Sequence, residues 1–170
     1  MAEGIRRLNR LSRDEAEAEL LKCCGSTRWA RAVASRRPFG SADELMSSAD
    51  EVWWGLNVQD WLEAFSRHPK IGERKAAEGQ TGQERAWSAG EQSGMSEADA
   101  AAREELAKLN EVYAEKFGYI FIVCATGKRP TEMLSLLRGR LNNDAETEIR
   151  VAAEEQRRIT RLRLQKLLGA

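Results

Sequence analysis

The chain has a single histidine, and the residues around it indicate the end of a helix. Trp61, Leu62 and Phe65 recur before it at helical spacing. Pro69 disfavours helical backbone at the residue that precedes it, so the helix should end at or near His68. An imidazole can give and take a proton near neutral pH. His68 is therefore a candidate acid–base catalyst, although a lone histidine is more often a structural or surface residue.

A second group of polar residues lies in a glycine-rich stretch. If residues 84–92 form a short helix, Ser88, Glu91 and Gln92 share one of its faces. A hydroxyl, a carboxylate and an amide placed together suit a small ligand that is rich in amide or urea groups. A polar turn at the surface has the same composition and is the commoner case for this pattern alone.

Two further features lie in the C-terminal half of the chain. Residues 121–125 are apolar, and the backbone of a buried extended or short helical segment needs hydrogen-bond partners, which a ligand can provide. Arg163 alternates with leucines on an amphipathic helix. It is either a surface residue whose aliphatic part covers the apolar stripe or a clamp for a carboxylate.

Size and composition exclude several classes of protein. A chain of 170 residues predicts a single domain. Lys plus Arg and Asp plus Glu both number 27, so no basic surplus indicates a nucleic-acid partner. No apolar run reaches the ~20 residues that span a membrane, and the N-terminal stretch lacks the apolar core of a secretory signal. We therefore expect a cytoplasmic protein with no membrane partner.

The cysteines point to a reducing compartment and away from a metal site. Cys23 and Cys24 are adjacent, and Cys124 is far from both in the sequence. Neighbouring cysteines make a poor disulfide pair, and the spacing fits no zinc-binding pattern.

Helical periodicity and capping residues predict an all-α domain of about eight helices. Tyr119 to Ala125 is the one strand-like segment, and it has no second segment with which to pair. A short helical piece is predicted at 84–92, and Gly118 should end the long helix before the strand-like segment. Gly55 could divide one helix in two. The predicted helix starts are Ser12 with Glu15, Ser26 or Thr27, Ser41 with Glu44, Asp50, Ser96, Thr131 and Asp144.

Short motifs along nearly the whole chain resemble one known family. The most specific is His68-Pro69-Lys70-Ile71-Gly72, which follows Asp60-Trp61-Leu62-Glu63-Ala64-Phe65. In this order the sequence is similar to the decarboxylases of 2-oxo-4-hydroxy-4-carboxy-5-ureidoimidazoline (OHCU). The other matching pieces are Leu8-Asn9, Cys23-Cys24-Gly25-Ser26 with Trp29, Arg37-Pro38-Phe39, Glu91-Gln92, Leu109-Asn110 with Tyr113, Phe117-Gly118-Tyr119, Phe121-Ile122-Val123-Cys124-Ala125, Arg140-Leu141-Asn142-Asn143 and Leu162-Arg163-Leu164.

The resemblance implies an all-helical enzyme that converts OHCU to (S)-allantoin and CO₂ in urate degradation, without a metal or an organic cofactor. It implies that His68 is the catalytic proton donor and that Glu91 and Arg163 belong to the site. A homodimer is compatible with the sequence, which does not fix the oligomeric state. The residues implied to bind the substrate are Pro69, Ser88, Ala89, Gly90, Glu91, Gln92, Phe121, Ile122, Val123, Cys124, Ala125 and Arg163.

The chemistry of this substrate agrees with the expected absence of a cofactor. Loss of CO₂ leaves an electron pair, and the C=N bond beside the carboxyl-bearing carbon can accept it, so no external electron sink is needed. Two alternatives stay open. A related enzyme could act on another ureido compound with a similar pocket. A helical interaction module would instead expose a large apolar surface.

Overall fold

The computed structural model describes residues 1–69 and 100–169, and these residues form eight helices and no strand. We number the helices in chain order. Their bounds are α1 Ala2–Arg10, α2 Arg13–Cys23, α3 Thr27–Ser35, α4 Ala42–Trp54, α5 Val58–Ser66, α6 Ala100–Phe117, α7 Pro130–Arg140 and α8 Ala145–Leu167. The all-α prediction is confirmed.

The chain divides into two compact units. The first is made of Met1–Ala64 and Arg157–Ala170, and the second is Phe65–Gln156. The prediction of a single domain stays a prediction, because the division does not say whether the units fold separately. None of the described helices combines the length and the apolar character that a membrane span requires.

Tryptophan side chains anchor the first unit. Trp29 is fully buried, and its indole N–H donates to the carbonyl of Ala49 over 3.0 Å. The indole N–H of Trp61 donates to the carbonyl of Trp53 at the same distance. These bonds satisfy the one polar group of each indole, so the large rings can be buried without leaving a donor unpaired.

The start and the end of the chain pack together within the first unit. The Arg7 guanidinium on α1 donates to the carbonyl of Leu167 at the end of α8. A Cβ added at Gly4 would lie 2.4 Å from the carbonyl oxygen of Leu168, so only glycine allows this approach. Residues of α1, α2 and α8 also line a cavity of about 430 Å³, which contains none of the predicted site residues.

The second unit has its own apolar core. Its buried side chains come from α6, from the segment after α6 and from α7, and partly buried residues such as Leu109 and Phe117 pack around them. The core residues are Leu106, Tyr113, Phe121, Val123, Ala125, Met133, Leu134 and Leu137.

Several predicted helix boundaries are confirmed. The Ser12 side chain accepts the backbone N–H of Glu15, and the Glu15 carboxylate accepts the N–H of Ser12 over 2.8 Å. Ser26, one of the two candidates, is the N-cap of α3. Asp144 accepts the N–H of Thr147 and begins α8. Gly118 follows α6 with a φ of +85°, a conformation that side chains with a Cβ rarely adopt.

Other predicted boundaries are wrong. Asp50 does not begin a helix but lies inside α4, and the break falls at Gly55. Thr131 is not the cap of α7, because Pro130 is already its first residue. Ser41 is the N-cap of α4 as predicted, but its capping box is only half formed, since the Glu44 carboxylate accepts the N–H of Gly40. The predicted starts at Ser96 and residue 84 lie outside the described residues.

Candidate active site

His68 lies two residues after the end of α5, close to the predicted position. Its backbone N–H donates to the carbonyl of Phe65 over 3.2 Å, which continues the helix by one turn. Phe65 is fully buried, and its ring centroid is 5.4 Å from that of Tyr119. The half-buried imidazole and Pro69 therefore follow a helix end that is held in the core of the second unit.

The imidazole contacts a glutamine that the sequence motifs did not indicate. The Nε2 atom of His68 is 2.6 Å from the Oε1 atom of Gln156 on α8, and Gln156 is completely buried. Since both residues belong to the second unit, this contact lies within one compact body.

Residues 121–125 are buried throughout but form neither a helix nor a strand. Protein donors occupy three of the backbone carbonyls in this segment. Arg140 donates to the carbonyl of Ile122, and the Lys128 ammonium donates to that of Cys124 over 2.7 Å. The backbone N–H of Lys128 donates to the carbonyl of Ala125 over 3.0 Å. Its carbonyls thus already serve to hold the segment in place.

A buried ionic network anchors the same segment. Glu148 is fully buried, and its Oε1 atom accepts a hydrogen bond of 2.6 Å from the Nε atom of Arg140 and one of 2.5 Å from the Tyr113 hydroxyl. The Nη2 atom of Arg140 forms an ion pair with the same oxygen at 2.5 Å. The side chain of Asn143 donates to the other oxygen of Glu148 over 2.9 Å. The Arg140 guanidinium also lies 4.5 Å from the centre of the Phe121 ring. Buried charges are tolerated only when they are paired in this way.

Arg163 is buried, which contradicts the surface alternative for this residue. It belongs to the first unit and is 4% exposed. Burial raises the pKa of Cys24 to about 12, and the nearby positive charge of Arg163 partly opposes that shift. The same two effects act in that order on Cys23, so the pair consists of unreactive neutral thiols.

The predicted site residues that the structure describes are divided between the two compact units. His68, Pro69 and residues 121–125 belong to the second unit, whereas Arg163 belongs to the first. Ser88, Ala89, Gly90, Glu91 and Gln92 lie outside the described residues.

Sequence reasoning did not indicate two contacts around the candidate site residues. Gln156 falls on the buried face of α8 at helical spacing from Ala152 and Ile159. A buried polar side chain on such a face needs a hydrogen-bond partner. Arg140 belongs to one of the quoted motifs, but nothing in its position indicated that it binds the Ile122 carbonyl.

Comparison with known proteins identifies the family of this chain. A model of the OHCU decarboxylase family matches residues 9–165. A decarboxylase of this name from Amia calva is 34% identical over 141 residues, which are 82% of this chain and 79% of the relative. The enzyme of the same name from Haloferax volcanii is 28% identical and covers 94% of this chain and 93% of its own.

A longer relative and a solved structure extend the comparison. The uric acid degradation bifunctional protein TTL of Arabidopsis thaliana is 38% identical over 90% of this chain, but the chain spans only 47% of that protein. A crystal structure of OHCU decarboxylase in the presence of (S)-allantoin superposes with a TM-score of 0.75 and 37% identity, over 89% of this chain and 98% of the other. With the family model spanning most of the sequence and relatives matched over most of their length, the chain belongs to the OHCU decarboxylase family.

Proposed function

We propose that this chain catalyses the decarboxylation of OHCU to (S)-allantoin and CO₂, a step of urate degradation, with His68 transferring the proton and no bound cofactor. One observation carries the proposal. In a chain that belongs to this family, the one histidine follows a helix end in the same compact unit as the buried, irregular segment 121–125.

The reaction needs little beyond a proton donor and a rigid frame. The bond between the ring carbon and the carboxylate breaks, its electron pair moves towards the neighbouring C=N bond, and CO₂ leaves. The ring nitrogen that received the electron pair takes up a proton. A second proton then adds to the ureido-bearing carbon on one face, while the ring hydroxyl releases one to form the carbonyl. One proton is thus consumed for each carboxylate lost, and the product is neutral allantoin. His68 would accept the hydroxyl proton or donate to the developing anion.

The segment 121–125 supports binding of a ligand with acceptor oxygens. The carbonyls of Ile122, Cys124 and Ala125 already accept from protein donors. Among the described residues, no acceptor pairs with the backbone N–H of Ile122 or Val123. A buried N–H without an acceptor is costly. We therefore assign the segment to the carbonyl oxygens of the urea and ring amide groups of the substrate.

The remaining predicted residues complete the proposal. Glu91 would orient His68 or accept from the ureido N–H groups, and Ser88 and Gln92 would hold the ring amides. We assign Arg163 to a substrate carbonyl. A strong grip on the carboxylate would stabilise the substrate more than the transition state, which has already begun to lose CO₂.

The proposal also covers where and in what assembly the enzyme works. Cys23, Cys24 and Cys124 are in no disulfide, which is expected in a reducing, cytoplasmic compartment. A homodimer is a hypothesis that sedimentation velocity would test.

The experiment combines the rate and the stereochemistry of the reaction. Freshly generated OHCU is followed by its ultraviolet absorbance, and the allantoin formed is followed by circular dichroism. The wild-type protein should accelerate the decay and give one enantiomer, because protonation in free water has no preferred face. His68→Asn should keep the fold and lower kcat by at least ~10²-fold, the usual contribution of an acid–base group.

Two results would contradict the proposal in different ways. Turnover close to that of the wild type in His68→Asn would remove His68 from the mechanism. Decay of OHCU at the uncatalysed rate with the wild-type protein would reject the substrate, and other ureido compounds would then be tried. The helical content and the Tm of the variant show whether a loss of activity is a loss of fold.

A further inference from the structure

We infer that Gln156 is a positioning residue that holds His68 in the tautomer with hydrogen on Nε2, so that Nδ1 is the ring nitrogen that gains and loses the proton. This inference rests on the proposed function, because it assigns a place to the proton that His68 is proposed to transfer.

The inference starts from the contact between the two side chains. The Nε2 atom of His68 and the Oε1 atom of Gln156 are 2.6 Å apart, well within hydrogen-bond distance. An amide oxygen can only accept, so the hydrogen of this bond must belong to Nε2. A neutral imidazole carries one hydrogen, and its Nδ1 atom then keeps the lone pair.

Because Gln156 is buried, its hydrogen bond with His68 favours one tautomer of the imidazole. Gln156 is completely buried on α8, and Ala152 and Ala153, one turn earlier, are also fully buried. A buried amide that loses its hydrogen bond costs free energy, which favours the tautomer that keeps the bond.

The backbone of His68 is fixed as well. Its N–H is bonded to the carbonyl of Phe65, and the Phe65 ring packs against Tyr119 in the core of the second unit. The imidazole is thus held from its backbone on one side and from Gln156 on the other. For a proton transfer, the orientation of the ring decides whether the reacting nitrogen faces its target.

The single histidine of the chain makes the inference directly measurable. In protein labelled with ¹⁵N at histidine, only the two ring nitrogens of His68 give imidazole signals. We expect the wild-type protein, at a pH where the ring is neutral, to show a protonated Nε2 and an unprotonated Nδ1. A wild-type spectrum with the hydrogen on Nδ1 would overturn the inference without any variant.

Two substitutions at the same position separate hydrogen bonding from packing. Gln156→Leu fills a similar volume but accepts no bond, so the two tautomers should mix, and kcat should fall at least about tenfold with KM little changed. Gln156→Glu keeps an oxygen acceptor at the same reach and should keep the Nε2–H tautomer. A spectrum of Gln156→Leu identical to that of the wild type would overturn the inference.

Thr160 offers a matched control on the same helix. It is buried one turn further along α8, and its hydroxyl lies close enough to the Cys24 thiol to lower the pKa of that thiol. Thr160→Val removes this buried hydroxyl of α8 but should leave the tautomer and the turnover unchanged. If it changed the His68 spectrum as Gln156→Leu does, the effect of Gln156 would be one of general packing.

The inference and the proposed function fail in distinguishable ways. Full activity in His68→Asn would reject the catalytic role of His68, whatever its tautomer. An inactive His68→Asn together with a wild-type tautomer carrying the hydrogen on Nδ1 would keep that role and reject Gln156 as the positioning residue.

Discussion

The two tyrosines of the chain show how strongly the surroundings of a residue change its acidity. Burial raises the pKa of both Tyr113 and Tyr119. For Tyr113 the hydrogen bond to Glu148 raises it further, because an ionised phenol could not donate to the carboxylate. The folded protein therefore holds these phenol protons more tightly than the unfolded chain does.

This difference predicts how stability depends on alkaline pH. The unfolded chain releases its tyrosine protons around a pH of about 10, whereas the folded protein keeps them to higher pH. Since the folded state then binds more protons, the free energy of unfolding should fall as the pH rises above about 10. Ultraviolet absorbance of tyrosinate should appear at higher pH in the native protein than in guanidinium chloride. Coincident titrations in the two conditions would contradict the prediction.

At the residue scale, the sequence indicated candidate residues by their type and spacing but did not indicate which residues are in contact. His68 stood out because it is the only histidine and precedes a proline. Gln156 did not stand out, because its partner is 88 positions away and only the fold brings them together. For Arg163, periodicity left a buried and an exposed alternative open. The structure excludes exposure, which depends on what packs over the helix and not on its own sequence.

At the scale of elements, the close approach of α1 to Leu168, just after α8, depends on the absence of a Cβ atom at Gly4. A Cβ at Gly4 would meet backbone atoms of Leu168 at 2.4 to 2.8 Å, and backbone cannot move aside as a flexible side chain can. Gly4→Ala should therefore destabilise the protein by about 1 to 3 kcal/mol, as overpacking generally does. Chemical denaturation with equal m-values would measure the change.

Gly139 provides the matched control for this substitution. It lies in α7, and a Cβ there would have nothing within 4 Å. Gly139→Ala should be neutral or stabilising by up to about 1 kcal/mol, because alanine favours a helix. If Gly4→Ala were as stable as Gly139→Ala, the close approach of α1 to Leu168 would not be a feature of the folded protein.

At the same scale, side chains typical of N-caps predicted several helix starts correctly. Ser12, Ser26 and Asp144 are N-caps, as their side chains indicate. Asp50 resembles a cap equally well, but the surrounding helix continues through it because its other residues pack in the core. The helix α1 was not predicted because only two of its apolar side chains, those of Ile5 and Leu8, are buried, and the tertiary contact with α8 supports it.

At the scale of the whole molecule, the three cysteines test whether the chain is one domain. Cys23 and Cys24 are fully buried in the first unit, and Cys124 is 8% exposed in the second. A single domain predicts that all three thiols become reactive at the same denaturant concentration, because one cooperative transition exposes them together. Pulse labelling with a thiol reagent, read for each cysteine by mass spectrometry, gives the midpoints.

The outcome at Cys124 decides between the two possibilities. Equal midpoints for all three cysteines would support the single-domain prediction. A midpoint for Cys124 that differs from the shared midpoint of Cys23 and Cys24 would contradict it, and the two units would then be independent folding bodies.

The packing of α1 against Leu168 affects how the chain can fold during its synthesis. A ribosome releases residues 1–64 first, yet the rest of their unit, Arg157–Ala170, emerges only after residues 65–156 have been made. Until then the apolar faces of the first helices lack their final cover, and such surfaces attract chaperones or one another. The first unit can therefore complete its folding only after residues 157–170 have been made.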